Sequence, residues 1–251
     1  MISQHFLRPF PRLLSGPMPL FIAIAAAFNA GSADASDVQQ LKSLMDLSLT
    51  ELSTMPVTVT SVSKRPEALG QAASAVYVID QEAIRRSAAT SVPEALRMVP
   101  GLEVARIDAS KWAITARGGN HEFANKLLVM VDGRSVYTPM FGGVYWDAQT
   151  LPLRDVDRIE VIRGPGASLW GANAMNGVIN IITRSSEETQ SGVVAGFAGN
   201  KERLASLRQG VAIGDQTFLR VWGHGQETDS LKRKNGLEGD NWTSSQIGFR
   251  L

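Results

Sequence analysis

Three carboxylates lie close together at Asp155, Asp157 and Glu160, a grouping that could support acid–base chemistry. They are interleaved with Arg154, Arg158 and Arg163, as on an ion-paired strand, and no nucleophile–base set accompanies them. Cysteine is absent, which excludes a disulfide scaffold, thiol catalysis and cysteine-ligated metal. The three histidines, His5, His121 and His224, have no metal-ligand spacing. A glycine-rich stretch, Gly164-Pro165-Gly166-Ala167-Ser168-Leu169-Trp170-Gly171, invites a phosphate reading. Gly164-x-Gly166 lacks the third glycine of a dinucleotide loop, however, and no Lys-Ser/Thr follows Gly171 as a P-loop requires. The residues thus predict no catalytic set, no metal and no resident cofactor.

What remains is binding chemistry. Tyr137, Phe141, Tyr145 and Trp146 share an aromatic, glycine-rich loop, and His121, Phe123 and Asn125 share another. Aromatic clusters with a few polar groups suit a bulky chelate or cofactor; packing against a neighbouring wall is the plainer alternative. Val57-Thr58-Val59-Thr60-Ser61-Val62-Ser63 follows Pro56 and is β-branched at alternate positions, so it is built to lie extended. Such a run can offer main-chain hydrogen bonds to a partner by strand addition, or serve as a linker or edge strand.

Elements must position these groups. Val76–Ile79 reads as a buried strand, with Asp80 capping a helix to about Ser87. Ser91-Val92-Pro93-Glu94 is a capping box opening a helix that ends at Pro100-Gly101. Strand-like runs follow at 102–106, 113–116, 127–131, 158–163 and 178–183, with a turn signal at Asp132-Gly133. After Thr189 helical signals vanish. Four runs near ten residues long, at 191–200, 203–213, 216–226 and 243–251, alternate with period two; Ala205, Leu207, Val211 and Ile213 face one way, Ser206, Arg208 and Gly210 the other. Transmembrane barrel hairpins and soluble antiparallel sheets both show this pattern.

The N-terminus reads as an export signal, residues 1–35: Arg8 and Arg12 precede the apolar run Leu20–Phe28, and Ala33-Asp34-Ala35 resembles a cleavage site. Of 25 basic and 24 acidic residues, loss of Arg8, Arg12 and Asp34 leaves equal numbers, so no bulk basic balance points to nucleic acid. Residues 36–55 have the spacing of a short amphipathic helix or a tail.

Four blocks, in order, resemble the plug domain of TonB-dependent outer-membrane receptors. They are Val76-Tyr77-Val78-Ile79-Asp80 with Val99-Pro100-Gly101-Leu102-Glu103-Val104; Ile114-Thr115-Ala116-Arg117-Gly118; Leu128-Val129-Met130-Val131-Asp132-Gly133; and Arg158-Ile159-Glu160-Val161-Ile162-Arg163-Gly164-Pro165 through Trp170-Gly171 to Gly177-Val178-Ile179-Asn180-Ile181-Ile182-Thr183. The resemblance implies an α+β plug with a small, four-stranded central sheet at 64–186, then antiparallel strands of an incomplete transmembrane β-barrel at 187–251. It further implies import of a bulky ligand such as siderophore-iron or vitamin B12, driven by TonB with ExbB and ExbD, in an outer membrane whose lipid the strands would meet. Within 36–63, Val57, Thr58, Val59, Thr60, Ser61 and Val62 become the TonB-contacting box, although Pro56 stands where such boxes begin with an acidic residue. Arg117 and Arg163, joined by Glu160, become plug–barrel ion pairs, and the aromatic loops become a ligand-facing apex. Four strands cannot close a barrel, so the sequence is expected to be a fragment. A free-standing plug-like binding or signalling module is the alternative.

Overall fold

The computed structural model describes residues 58–72, 74–214, 216–231 and 239–251. The expected export signal, the 36–55 helix and Val57 lie outside the described residues.

A two-residue strand, β1 (Thr58–Val59), pairs antiparallel with β2 (Glu67–Ala68). β3 (Val76–Asp80) runs into α1 (Gln81–Arg86), and Asp80 caps it as expected, its carboxylate accepting a 2.7 Å bond from the Ala83 amide. The next helix, α2 (Val92–Leu96), departs from expectation twice. Ser91 makes no side-chain cap; Glu94 instead reaches back to accept from the amide and hydroxyl of Thr90, at 3.0 and 2.9 Å. The helix also closes at Arg97, short of Pro100-Gly101, and the chain continues in tighter turns in which the Met98 and Val99 amides donate to the Ala95 and Leu96 carbonyls. Gly101, at φ 82°, then turns the chain into β4 (Leu102–Arg106), which pairs with β5 (Trp112–Ala116) as a separate hairpin.

The central sheet contains β6 (Leu127–Val131), β7 (Arg134–Ser135), β8 (Val156–Arg163) and β9 (Gly177–Thr183), in the order β3-β8-β9-β6-β7. It has five strands, one more than expected. Asp132 and Gly133 both take positive φ, 48° and 77°, the geometry of a type I′ turn, and so add β7 as a hairpin partner. The β6–β9 pair is parallel; the others are antiparallel. The short helix α3 (Ala167–Trp170) lies between β8 and β9.

Alternation gives the sheet two packed faces. Ile79, Ile159, Val161, Ile179, Ile181, Leu127 and Val129 point to one, where α1, α2 and the β4–β5 hairpin cover them. Leu128, Met130, Ile162 and Val178 point to the other, joined by Val62, Val76 and Trp170. Burial of each such side chain contributes about 1.5–3 kcal/mol.

The remaining strands, β10 (Val193–Ala198), β11 (Glu202–Ala212), β12 (Phe218–Thr228) and β13 (Trp242–Arg250), form a separate antiparallel meander. Arg220, His224, Gln226 and Thr228 of β12 turn inward and are buried. Val194, Ile247 and Phe249 turn outward, 72%, 77% and 76% exposed. Along the outward face the character grades by rows. Val211, Leu219 and Leu251 are apolar; Ala205, Gly225 and Ser245 are small; Arg203 and Glu227, cross-strand partners, form a 3.5 Å ion pair. Among the described residues no helix is long and apolar enough to cross a membrane.

Candidate functional site

The segment after β1 folds across the second sheet face and ends on a buried carboxylate. Glu160 of β8 is 0% exposed. Its oxygens accept from the Thr60 amide at 3.0 and 3.1 Å, the Ser61 amide at 2.8 Å and the Thr60 hydroxyl at 3.3 Å. Arg158 Nε donates to the same group at 2.8 Å, while its Nη1 holds Asp157 at 2.6 Å. Burial by itself raises the Glu160 pKa; the hydrogen bonds from Ser61, Thr60 and Arg158 outweigh it and hold the carboxyl below the usual range. Ser61 is held at two further points. Its carbonyl accepts from Trp170 Nε1 at 2.8 Å, and its hydroxyl accepts from Asn180 Nδ2 at 3.0 Å. Asn180 is the cross-strand partner of Glu160, so period-two alternation places both under the segment. Val59 is fully buried, and the Lys64 ammonium sits 4.6 Å from the Trp170 ring centroid.

A second constellation joins the first domain to the meander through polar pairs. Arg106 meets Glu202 at 2.5 Å, and Glu202 also accepts from the Thr90 hydroxyl at 2.8 Å. Arg208 meets Asp155 at 2.7 Å. Arg250 donates to Asp132 at 3.2 Å and also bonds Thr183 Oγ1. Arg220 donates to the Arg184 carbonyl at 2.9 Å, Gln246 to the Ala148 carbonyl at 2.8 Å, and the Ala109 amide to Asp240 at 3.0 Å. None of these was anticipated as a pair. Alternation had put Arg208 on the face of β11 opposite Ala205, Leu207, Val211 and Ile213, but nothing local pointed to Asp155, Asp132 or Arg106 as members of these pairs.

The arginines singled out from the sequence lie elsewhere. Arg163 donates to the Pro100 carbonyl at 3.2 Å, and its Nε is buried without a hydrogen-bond partner. Arg117 follows β5 at φ 65°, and its Nη2 comes within 3.7 Å of where a Cβ on Gly164 would stand. Arg117 and the Arg163-Gly164 turn are therefore neighbours. Glu160 belongs to the opposite sheet face, paired inside the domain with Arg158 and the 60–61 backbone.

The aromatic loops do converge. Phe123, Phe141 and Tyr145 form a triangle with centroid distances of 6.0, 6.1 and 5.3 Å. His121 Nδ1 accepts from the Phe123 amide at 3.1 Å, which tightens that loop. Gly143 lets the loops touch, since a Cβ there would stand 2.8 Å from Phe123 Cα. Tyr137 flanks this contact, its hydroxyl 3.4 Å from a Cβ placed on Gly142. Phe141 is half exposed, and His121 and Asn125 are exposed. Trp146 instead points inward, 7% exposed, as part of the main core. Among the described residues no group of three acidic or histidine side chains could hold a metal.

Residues 68–178 match the family described as the TonB-dependent receptor plug domain. This stretch is such a plug. The chain is also 29% identical over 195 residues to the vitamin B12 transporter BtuB of Vibrio vulnificus, covering 76% of this chain and 31% of that protein. It is 33% identical over 185 residues to BtuB of Vibrio cholerae, covering 70% and 28%. The chain thus spans about a third of the length of the curated relatives it matches. Among solved structures, the ferripyoverdine receptor of the Pseudomonas aeruginosa outer membrane aligns with a TM-score of 0.55 at 18% identity, covering 69% of this chain and 23% of that one. At that identity the likeness speaks to fold: a plug followed by the first strands of a barrel wall, here not closed. The first domain is the plug, the meander is wall, and the polar pairs between them are plug–wall contacts.

Proposed function

We propose that this chain serves energised import of a bulky, scarce ligand across an outer membrane, with vitamin B12 and iron–siderophore complexes as the ligand classes. The relatives named for B12 transport and for ferripyoverdine support this choice of classes. The observation that carries the reading is the character of the plug–wall seam. It is built from ion pairs and hydrogen bonds, Arg106–Glu202, Arg208–Asp155 and Arg250–Asp132, which hold a domain in register yet can be replaced by water when it moves.

In this reading residues 1–35 direct export and are removed, and β10–β13 begin a wall whose outward side chains meet lipid. The loops of Phe123, Phe141 and Tyr145 receive the ligand, with His121, Asn125 and Tyr137 as polar neighbours. Val57–Val62 is the strand that TonB, energised by ExbB and ExbD, takes up. Arg117 and Arg163 remain candidates for partners on wall strands beyond β13. The outward apolar rows of β11–β13 disfavour a free-standing plug, which would leave them in water.

The test is whole-cell uptake of labelled cobalamin and of iron-loaded siderophores in a strain that depends on this gene. Uptake of one class should need both the gene and TonB. Uptake of both classes at the same rate without the gene, or without TonB, would sink the proposal.

A further inference from the structure

We propose that residues 184–190, where the plug passes into the wall, form a fixed clasp seated on Gly210 and Arg220, and that energised movement of the plug is a pivot about this clasp which opens the seam most widely at Glu202. The pivot rests on the proposed import function; the clasp does not.

A connection between two domains can be a slack tether. This one is a folded knuckle around the 3-10 turn Glu187–Thr189. The Ser185 amide donates to Glu188 Oε2 at 2.9 Å, and the Glu188 amide donates back to Ser185 Oγ at 3.1 Å. The Thr189 hydroxyl donates to the Ser185 carbonyl at 2.7 Å, and Thr189 is 0% exposed. Reciprocal bonds of this kind satisfy the turn from within and give it a fixed shape.

The wall is cut to receive that shape. A Cβ on Gly210 of β11 would stand 2.1 Å from the Thr189 carbonyl oxygen and 2.4 Å from Gln190 Cα. Backbone therefore lies directly on backbone, which only glycine permits. Arg220, the register partner of Gly210 on β12, donates to the Arg184 carbonyl at 2.9 Å and reaches Thr189 Oγ1 at 3.5 Å. Arg250, its own partner on β13, bonds Thr183 Oγ1 and lies 3.4 Å from the Arg184 carbonyl. Three neighbouring strands thus grip the chain where β9 ends, and bonds from a guanidinium are stronger than neutral ones.

The far end of β11 is held differently. Glu202 lies eight residues from Gly210, roughly 27 Å at about 3.4 Å per residue. There Arg106 and Thr90 reach Glu202 through side-chain tips, and such bonds can be exchanged for water. The Gly210 contact has no side chain for water to replace. In a turn about Gly210 displacement grows with distance from the axis. The Arg106–Glu202 contact therefore parts widely, while Thr183 and Arg250, beside the clasp, stay together.

The test sets covalent bridges in the membrane-inserted protein, in a chain without cysteine. A short bis-methanethiosulfonate joins Thr90→Cys to Glu202→Cys in one variant and Thr183→Cys to Arg250→Cys in another. Uptake of labelled cobalamin and of iron-loaded siderophore is measured with each bridge closed and again after reduction, so each variant is its own control. Closing the far bridge should lower uptake about tenfold or more, with recovery on reduction; closing the near one should change it by less than about twofold. A reduced variant that is inactive is replaced by Ala109→Cys with Asp240→Cys for the far pair, or Glu188→Cys with Arg250→Cys for the near one. Loss with both bridges means that the plug leaves the clasp, and overturns the pivot; so does uptake that neither bridge lowers. If the parent takes up neither ligand class, the import function fails, and the clasp is decided by hydrogen exchange. In the parent the Ser185, Glu188 and Thr189 amides should be protected. G210A should speed their exchange about tenfold or more, with R220M as the second variant if G210A does not insert. Amides that exchange in the parent as fast as an open loop, or that neither variant speeds, overturn the clasp.

Discussion

Arg208 of the wall and Asp155 of the plug meet at 2.7 Å, with side chains only 9% and 7% exposed. Arg208 lies on β11 of the meander and Asp155 in the 3-10 turn Leu153–Asp155 just before β8, so the pair spans the gap between the two sheets. A dry ion pair of this kind says more about register than about net stability, because desolvation offsets much of its attraction.

Breaking one partner is a different matter. R208M or D155L alone leaves an uncompensated buried charge and should weaken plug docking by about 3–5 kcal/mol. The double variant should recover most of it. Denaturant titration of plug release, run as a double-mutant cycle, reads both numbers. Additive losses would mean that the two side chains do not act as a pair.

A proline at Val59 should abolish energised uptake while ligand binding persists. It removes the β1 amide, and with it strand addition at that register. Val59 is also fully buried, so the same substitution should loosen the segment. Full uptake in V59P would remove this stretch from the transport path.

Gly143→Ala tests the apex. The new Cβ would stand 2.8 Å from the Phe123 backbone, and overpacking of this kind costs about 1–3 kcal/mol. The Phe123–Phe141–Tyr145 triangle should open and ligand affinity fall, with the central sheet intact by circular dichroism. Gly70→Ala, with open space around it, is the matched control and should bind normally.

The acid limb of plug stability should carry the signature of Glu160. Its pKa is depressed in the folded state, so its contribution is fully present above the ordinary carboxylate value and is lost as pH falls through the folded one. Stability should therefore be flat from this group at neutral pH and drop only well into acid. E160Q should be less stable at neutral pH and lose that part of the acid slope. An unchanged slope in pH-dependent denaturation would contradict the hydrogen-bond geometry around Glu160.

Much of the architecture was readable in advance because it rests on local pattern. Strand-like pattern located β3 to β6, β8, β9 and the four wall strands within a few residues but not the two-residue β7, and Asp80 and Asp132-Gly133 announced their cap and turn. Ser91-x-x-Glu94 misled because either Ser91 or Thr90 can complete the loop with Glu94, and local sequence does not choose. The site was less legible. Glu160 read as one member of a plug–wall cluster, yet its partners are amides about a hundred residues earlier, and amides carry no residue-type signal. Trp146 was indistinguishable by sequence from Phe141, although one is core and the other surface. Long-range pairing decides such cases, and period-two pattern does not encode it.

On the outward face of β11 and β12 the Arg203–Glu227 pair is the charged row, and under the proposed import function it would mark a waterline. An outward charge costs about 2–4 kcal/mol at the middle of a bilayer and little at its edge, so a wall that meets lipid would be favoured with this row in the headgroup layer and the rows of Val211, Leu219 and Leu251 below it. In that reading the height of the wall follows from its own outward side chains, and it would set how far Phe123 and its neighbours stand from the membrane surface.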